Sequence, residues 1–296
     1  MDIKEQVQNI LSTHGLDFEI LKFPLVAKDI DGNEILTPYY GLINSKNNEV
    51  LNTCRDGYTV SQNAEVVEMA LTGIEKFGDK LSVSKAGSIN NGRRVFIQLK
   101  VDGIQKIGDD TMSQFITIID SNDGSTGLSV GVGTEQAHCL NQFFRFYKEG
   151  NSRFRHTATI TQKIQEIPTL IETALGVHFK QFRTYERFIS TPLTKNLADK
   201  MVKEVLGYDR VVTSIADQAK MSSRSTEMMD LLYQDIKTEQ EYYGNNLMAI
   251  FQGATRFTTH HQKAPKRANG HDESLMVGVG YGKAISAYEF CLEHLS

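Results

Sequence analysis

The sequence predicts an α+β fold in which antiparallel β-hairpins with a crossing helix are followed by a helical C-terminal part. Three observations predict it. Turn signals of one kind, Asp31-Gly32-Asn33, Asn90-Asn91-Gly92 and Asn122-Asp123-Gly124, each join two segments of strand character. Between the first two, Val66, Val67, Ala70, Leu71 and Ile74 recur at helical spacing. Beyond residue 190 the apolar pattern is mostly helical. Hairpins followed by helices, without strict strand and helix alternation, argue against a parallel α/β arrangement.

Taken in order, Asp2 to Leu11 is a short helix with Ile3, Val7, Ile10 and Leu11 on one stripe. Phe18 to Ala27 is a strand that Pro24 assigns to a sheet edge. Tyr39 to Asn44 is a second strand, leading through Ser45-Lys46-Asn47-Asn48 to Val50 and Leu51. Asn63 is the expected N-cap of a helix reaching Phe77. Leu81–Ser88 and Arg93–Val101 form the next hairpin, and Gln114–Asp120 with Thr126–Val132 the third.

Alternation in Arg93–Val101 puts Arg94, Phe96, Gln98 and Lys100 on one face and Arg93, Val95, Ile97 and Leu99 on the other. One face of that strand is therefore expected to be polar and basic. Glu135 to Tyr147 is expected to be a helix burying Cys139, Phe143 and Phe146. Further helices are expected at Thr194–Leu206, Ser223–Ile236, Asn246–His261 and Lys283–Leu295. Residues 1–40 form an N-terminal helix and edge strand, 41–190 a sheet and helix core, and 191–296 a helical region packed on it, together one domain.

With 296 residues, 40% hydrophobic and 23% charged, the chain has the composition of an ordinary soluble globular protein. A net charge of −4 argues against a surface coated in positive potential, so any nucleic-acid contact must be local. Cys54, Cys139 and Cys291 are odd in number and widely spaced, which suggests neither a disulfide framework nor a zinc knuckle. The first residues, MDIKEQVQNIL, lack the basic and apolar regions of a signal peptide, and no apolar run approaches the ~20 residues of a membrane span. A cytoplasmic location is expected.

Enzyme motifs fail one by one. Gly278-Val279-Gly280-Tyr281-Gly282-Lys283-Ala284 has Val277 where a phosphate-binding loop needs its first glycine, and Ala284 where it needs Ser or Thr. Gly131 and Gly133 are followed by Gln136 in place of the third glycine of a dinucleotide fingerprint. His138, Cys139, His156, His260, His261 and His271 show no local ligand spacing, and His260-His261 suits a helix C-terminus. Asp109-Asp110, Asp120 and Asp123 are read as turn residues. No cofactor is expected.

Two basic clusters remain. Arg93 and Arg94 leave the Ala86–Gly92 turn region, and Arg153-Phe154-Arg155-His156-Thr157 lies downstream, with Arg145, Lys148 and Lys163 nearby in sequence. Cations on β elements with aromatics interleaved (Phe96, Phe144, Phe154) can hold phosphates while bases stack beside them. Solvated residues at a sheet edge are the plainer alternative.

Several segments together resemble a phage- and plasmid-borne family catalogued as a domain of unknown function. They are Gly41–Asn63 with Tyr58-Thr59-Val60-Ser61-Gln62-Asn63, the Ala86 to Val95 hairpin, Asn122-Asp123-Gly124-Ser125, His138-Cys139-Leu140-Asn141, Arg153–Thr157 and Leu247–His260. The chain departs from the family pattern at Gln252 and at Gln136-Ala137. The resemblance implies a mobile-element context and no established chemistry.

The element order is also similar to the core of phage single-strand annealing proteins, which need no ATP. On that similarity Arg93, Arg94, Arg153 and Arg155 would grip phosphates of single-stranded DNA, His156 and Lys163 would support them, and Tyr58 or Phe154 would stack on a base. A homo-oligomer without catalytic residues is the expected form. The competing readings are a structural or regulatory interaction protein and, last, a metal-dependent nuclease using Asp120, Asp123 and the histidines.

Overall fold

The computed structural model describes residues 2–108, 110–137, 139–146, 153–208 and 221–295. Asp109, His138 and Lys148, singled out above, lie outside the described residues.

Helix α1 (Ile3–Thr13) precedes a three-stranded antiparallel sheet, β1 (Ile20–Lys28), β2 (Glu34–Asn44) and β3 (Val50–Arg55), in that spatial order. Pro24 sits on β1, an edge strand as expected, with a register shift between Pro24 and Val26. Helix α2 (Asn63–Phe77) follows. Its N-cap is Gln62 and not Asn63: the Glu65 carboxylate accepts from the Gln62 backbone N–H at 3.0 Å. Asn63 is instead buried and donates to the carbonyls of Leu16 and Phe18, tying the helix to the segment before β1.

The larger sheet runs β4 (Leu81–Ile89), β5 (Arg94–Ile107), β6 (Asp110–Ser121), β7 (Leu128–Gln136) and β8 (Gln142–Phe146), all antiparallel neighbours. The short β9 (Arg153–Phe154) also pairs with β7, Leu128 opposite Phe154 and Ser129 opposite Arg153. At the β4–β5 turn Asn90 and Asn91 adopt φ of 54° and 58°, a conformation that asparagine tolerates better than most residues.

Two sequence expectations fail here for one physical reason: the sheet is covered on both faces. Val95, Ile97 and Leu99 of β5 join the core beneath α2, while Phe96 packs with Ile119, Phe144, Leu275 and Met276 on the opposite side. Gln98 is buried as well, so of the four residues expected on a solvated basic face Lys100 alone is exposed. Likewise the described residues between Glu135 and Phe146 do not form a helix. Strand β7 runs to Gln136 and β8 begins at Gln142, with consecutive Phe143 and Phe144 buried in different clusters. Two apolar faces of one strand can imitate the spacing of a helical stripe.

Helices α3 (Ile160–Gln165) and α4 (Ile167–Ser190) follow β9, then α5 (Lys195–Leu206), α6 (Ser223–Tyr243), α7 (Leu247–Arg256), a π-helical turn (Phe257–His261), α8 (Gly270–Met276) and α9 (Val279–Glu293). The four C-terminal helices expected from sequence are thus present, with shifted ends. The 24-residue α4 enters both large cores, Ile167, Ile171 and Ala174 in the one under the sheets and Phe182, Tyr185 and Phe188 in the one among the helices. No helix among the described residues is long and apolar enough to cross a membrane.

His178, in the middle of α4, is buried, and its Nε2–H donates to the Phe115 carbonyl at 3.1 Å. Burial lowers its pKa to about 4, only partly opposed by that hydrogen bond. The unfolded chain would take up a proton near pH 6.5 that the native chain refuses until about 4. Stability from this residue is therefore complete above the unfolded value and falls by about 3 kcal/mol as the pH drops to 4. Denaturant unfolding at both pH values should show a smaller acid loss in His178→Leu than in the wild type. An equal loss would remove His178 as the cause.

Candidate nucleic-acid interface

A groove of about 630 Å³ opens where the end of β3 meets the β6–β7 turn and the segment leaving β9. Arg55, Tyr58, Arg153, Arg155 and His156 line it, with Gly57, Gly124 and Gly127 between them. No carboxylate is among the described residues that line it.

Each cation reaches the groove for a local reason. Arg55 ends β3, and its carbonyl accepts from the Tyr58 N–H at 3.1 Å, which turns the chain back toward the large sheet. Arg153 is anchored by the β6–β7 turn, with Nε donating to the Thr126 carbonyl at 2.5 Å and Nη2 to Ser125 at 3.2 Å. Arg155 is exposed one residue past β9. The turn itself is pinned by Ser121, whose Oγ accepts from the N–H groups of Thr126 and Gly127.

Beneath the groove lies a buried charge pair. His156 Nε2 donates to Asp120 Oδ1 at 2.8 Å, and both side chains are nearly inaccessible. The other ring nitrogen lies 3.3 Å from the Thr59 carbonyl, so both nitrogens face acceptors and the imidazolium is the favoured form. Burial alone would depress the His156 pKa, but the hydrogen bond and charge of Asp120, with the Thr59 carbonyl, raise it overall. Tyr58 stacks on this ring at 4.8 Å with an interplanar angle of 2°. Burial and the negative charge of Asp120 push the Tyr58 phenol pKa up, so it stays neutral.

Asp120 is therefore not a turn residue, as its sequence context suggests, but a buried counter-ion in β6. Besides His156 it accepts from Ser61 Oγ and from the Ser121 N–H at 2.9 Å. Ser, His and Asp stand together here without the geometry of a nucleophile. The Ser61 hydroxyl donates to Asp120, lies 3.5 Å from His156 Nδ1 and is buried.

The other expected contacts fall elsewhere. Arg93 donates to the Val50 carbonyl at 3.2 Å and lies 3.9 Å from Glu49. Arg94 Nε donates to Ser125 Oγ, and its guanidinium lies between Asp123 at 3.4 Å and Glu273 at 3.6 Å. These acids come from distant segments, so no local pattern announces them. Phe154 is buried in the core and cannot stack on a base, while Lys163 pairs with Glu166 at 2.8 Å over the Phe154 ring. Of the eight residues selected from sequence, Tyr58, Arg153, Arg155 and His156 meet in the groove. Arg55 was missed; a lone arginine ahead of Asp56-Gly57-Tyr58 is its only sequence signal.

His260 and His261 stand in the last turn of their helix, as the sequence suggests, but their side chains are held by groups of other elements. His260 Nε2 faces the Cys139 carbonyl and Asn141 Oδ1, and His261 lies 3.2 Å from Asp235. Cys139 is half-buried in the β7–β8 turn, not on a helix face. Among the described residues no group of three His, Cys, Asp or Glu side chains is placed to hold a metal.

Fold and site together define a mixed α+β chain with an arginine-lined groove at the seam of its two sheets. The chain belongs to the family described as domain of unknown function DUF932, which matches residues 50–276 and so spans β3 to α8, including both walls of the groove. No curated protein and no solved structure matches it.

Proposed function

We propose that this chain is a phage- or plasmid-encoded DNA-binding protein that holds single-stranded DNA in the Arg55, Arg153 and Arg155 groove and promotes strand annealing without ATP. The observation that carries the reading is a groove with three arginines, the Tyr58 ring and, among the described residues, no lining carboxylate, in a chain whose net charge is negative. Arginines held at the groove would meet phosphate oxygens, and the glycines leave room for a backbone to approach closely. Tyr58 would stack on a base, a contact worth ~1–3 kcal/mol in single-strand binding. Asp120 neutralises His156, so the charge offered to a ligand is that of the arginines. Annealing of this kind needs bound, extended strands and no acid, base or nucleophile. In this reading the chain is not an enzyme, works in the host cytoplasm and assembles into a homo-oligomer that lines up successive grooves.

Anisotropy titrations of labelled oligo(dT) over a range of salt concentrations test the proposal. Arg153→Ala with Arg155→Ala should weaken binding at least about tenfold at low salt and flatten the salt slope by ~0.7 for each phosphate no longer neutralised. Arg93→Ala, whose side chain is engaged by Val50 and Glu49, should change affinity little. Equal affinity in the wild type and the double variant would sink the groove assignment, and no binding at low salt would sink the function.

A further inference from the structure

The β1–β2 hairpin outruns its sheet. Strand β3 pairs with β2 only from Tyr39 to Ile43, so the chain from Leu25 to Pro38 continues as a two-stranded ribbon with no third strand beside it. No residue from Phe23 to Tyr39 is buried. Phe23, Val26, Ile30, Ile35, Leu36 and Tyr39 are all exposed, Ile30 at 99% and Leu36 at 79%. Cross-strand partners share a face, so Val26 and Leu36 stand together on one side and Ile35, opposite Ala27, on the other. Both faces of the ribbon are therefore apolar and uncovered. Two strands alone are marginal in water, and apolar surface of this kind marks a docking site.

Charge says what covers it. Residues 23–39 carry Lys28 against Asp29, Asp31 and Glu34, a net of −2. Asp29 accepts from the N–H groups of Asp31 and Asn33 within the turn, whereas Asp31 and Glu34 have no side-chain partner among the described residues. Two ribbons suit each other poorly, since both carry the same negative excess and Pro24 interrupts the free edge of β1.

The outward face of α4 has the opposite sign. Phe179 is 68% exposed there, in one stripe with the exposed Arg183 and Arg187. Lys180 and Glu186 flank that stripe, so the stretch from Phe179 to Ser190 has a net charge of +2. Neither arginine has an ion-pair partner among the described residues. An aromatic ring among cations on this helix complements aliphatic side chains among carboxylates on the ribbon. Both surfaces are exposed within one molecule, so they can meet only between copies.

We propose that the ribbon of one copy lays Val26, Ile30 and Leu36 across the Phe179 face of α4 in the next, with Asp31 and Glu34 facing Arg183 and Arg187. Each copy then gives a ribbon and receives one, and such a heterologous contact builds a ring or an open filament. The inference deepens the homo-oligomer of the proposed function and rests on that reading for the oligomer alone, not for DNA.

Sedimentation velocity of the full chain over a range of concentrations, without DNA, tests it. The wild type should form species larger than a dimer. Ile30→Ser with Leu36→Ser, and separately Arg183→Glu with Arg187→Glu, should each raise the concentration needed for assembly at least about tenfold. A mixture of these two variants should give a one-to-one dimer and nothing larger, because one keeps only its helix face and the other only its ribbon. Phe179→Ser repeats the helix-face test if the arginine variant fails to fold. Arg153→Ala with Arg155→Ala should assemble as the wild type does, so a failed groove and a failed contact are told apart. The contact is overturned if the wild type is monomeric, including a monomer that floats with phosphatidylcholine vesicles. It is equally overturned if the ribbon variant or a folded helix-face variant assembles normally, the latter being the mark of ribbon-to-ribbon pairing, or if the folded variants fail to pair when mixed.

Discussion

Replacing Asp120 with asparagine should cost the fold about 3–5 kcal/mol and lower the His156 pKa below its ordinary value. Asp120 is 2% exposed and is the counter-ion of a buried imidazolium, so its removal leaves a buried charge without its hydrogen-bonded partner. The imidazole would then shed its proton, because burial, already the largest influence on it, would act against a weakened opposition.

The pH dependence should change sign with it. In the wild type the His156 pKa is raised above the unfolded value near 6.5, so the pair's stability is fully present below that pH and lost as pH rises through the folded value. In Asp120→Asn the same residue should favour the fold on the alkaline side. Histidine proton resonances followed through a pH titration, with denaturant midpoints at each end, measure both effects. An Asp120→Asn variant with unchanged midpoints and an unchanged His156 titration would show that the pair is not charged.

Gly127→Ala should be the most damaging change that removes no functional group from the groove. Gly127 has φ of +67°, and a Cβ there would run into the Phe154 carbonyl oxygen. Backbone cannot yield as a side-chain tip can, so β9 would have to leave β7 and carry Arg153 and Arg155 with it. A loss of at least about 2 kcal/mol is expected from strain and broken strand pairing, together with a fall in oligonucleotide binding comparable to that of the double arginine variant. Gly124→Ala is the control. Its φ of +71° is as unfavourable, but the nearest atom is the Asn52 side-chain nitrogen at 3.4 Å, so β9 should stay in place. If both variants bind DNA equally well, β9 does not set the positions of the arginines.

The hairpins were legible because turn chemistry is local. Asn90-Asn91-Gly92 and Asn122-Asp123-Gly124 specify chain reversal through residues that adopt unusual backbone angles without help from the rest of the fold. Strand β8 was not legible, because its burial comes from two separate clusters that sequence neighbours do not encode. Helix α4 escaped notice too: its inward face includes His178 and Gln181, polar residues that interrupt the apolar rhythm.

The candidate site divides along the same line. Arg153, Arg155, His156 and Tyr58 could be named from residue type, whereas the capture of Arg94 by Asp123 and Glu273 depends on partners 29 and 179 residues away in the chain. Asp120 was misread for a related reason. Beside Asn122-Asp123-Gly124 it looks like part of the turn, and only its partners Ser61 and His156 reveal a counter-ion.

Helix α4 acts as a keel. At ~1.5 Å per residue it is roughly 36 Å long, and its two ends are embedded in different hydrophobic masses. Neither mass can come loose without exposing part of the same rod, so the halves of the molecule are bound to melt in concert.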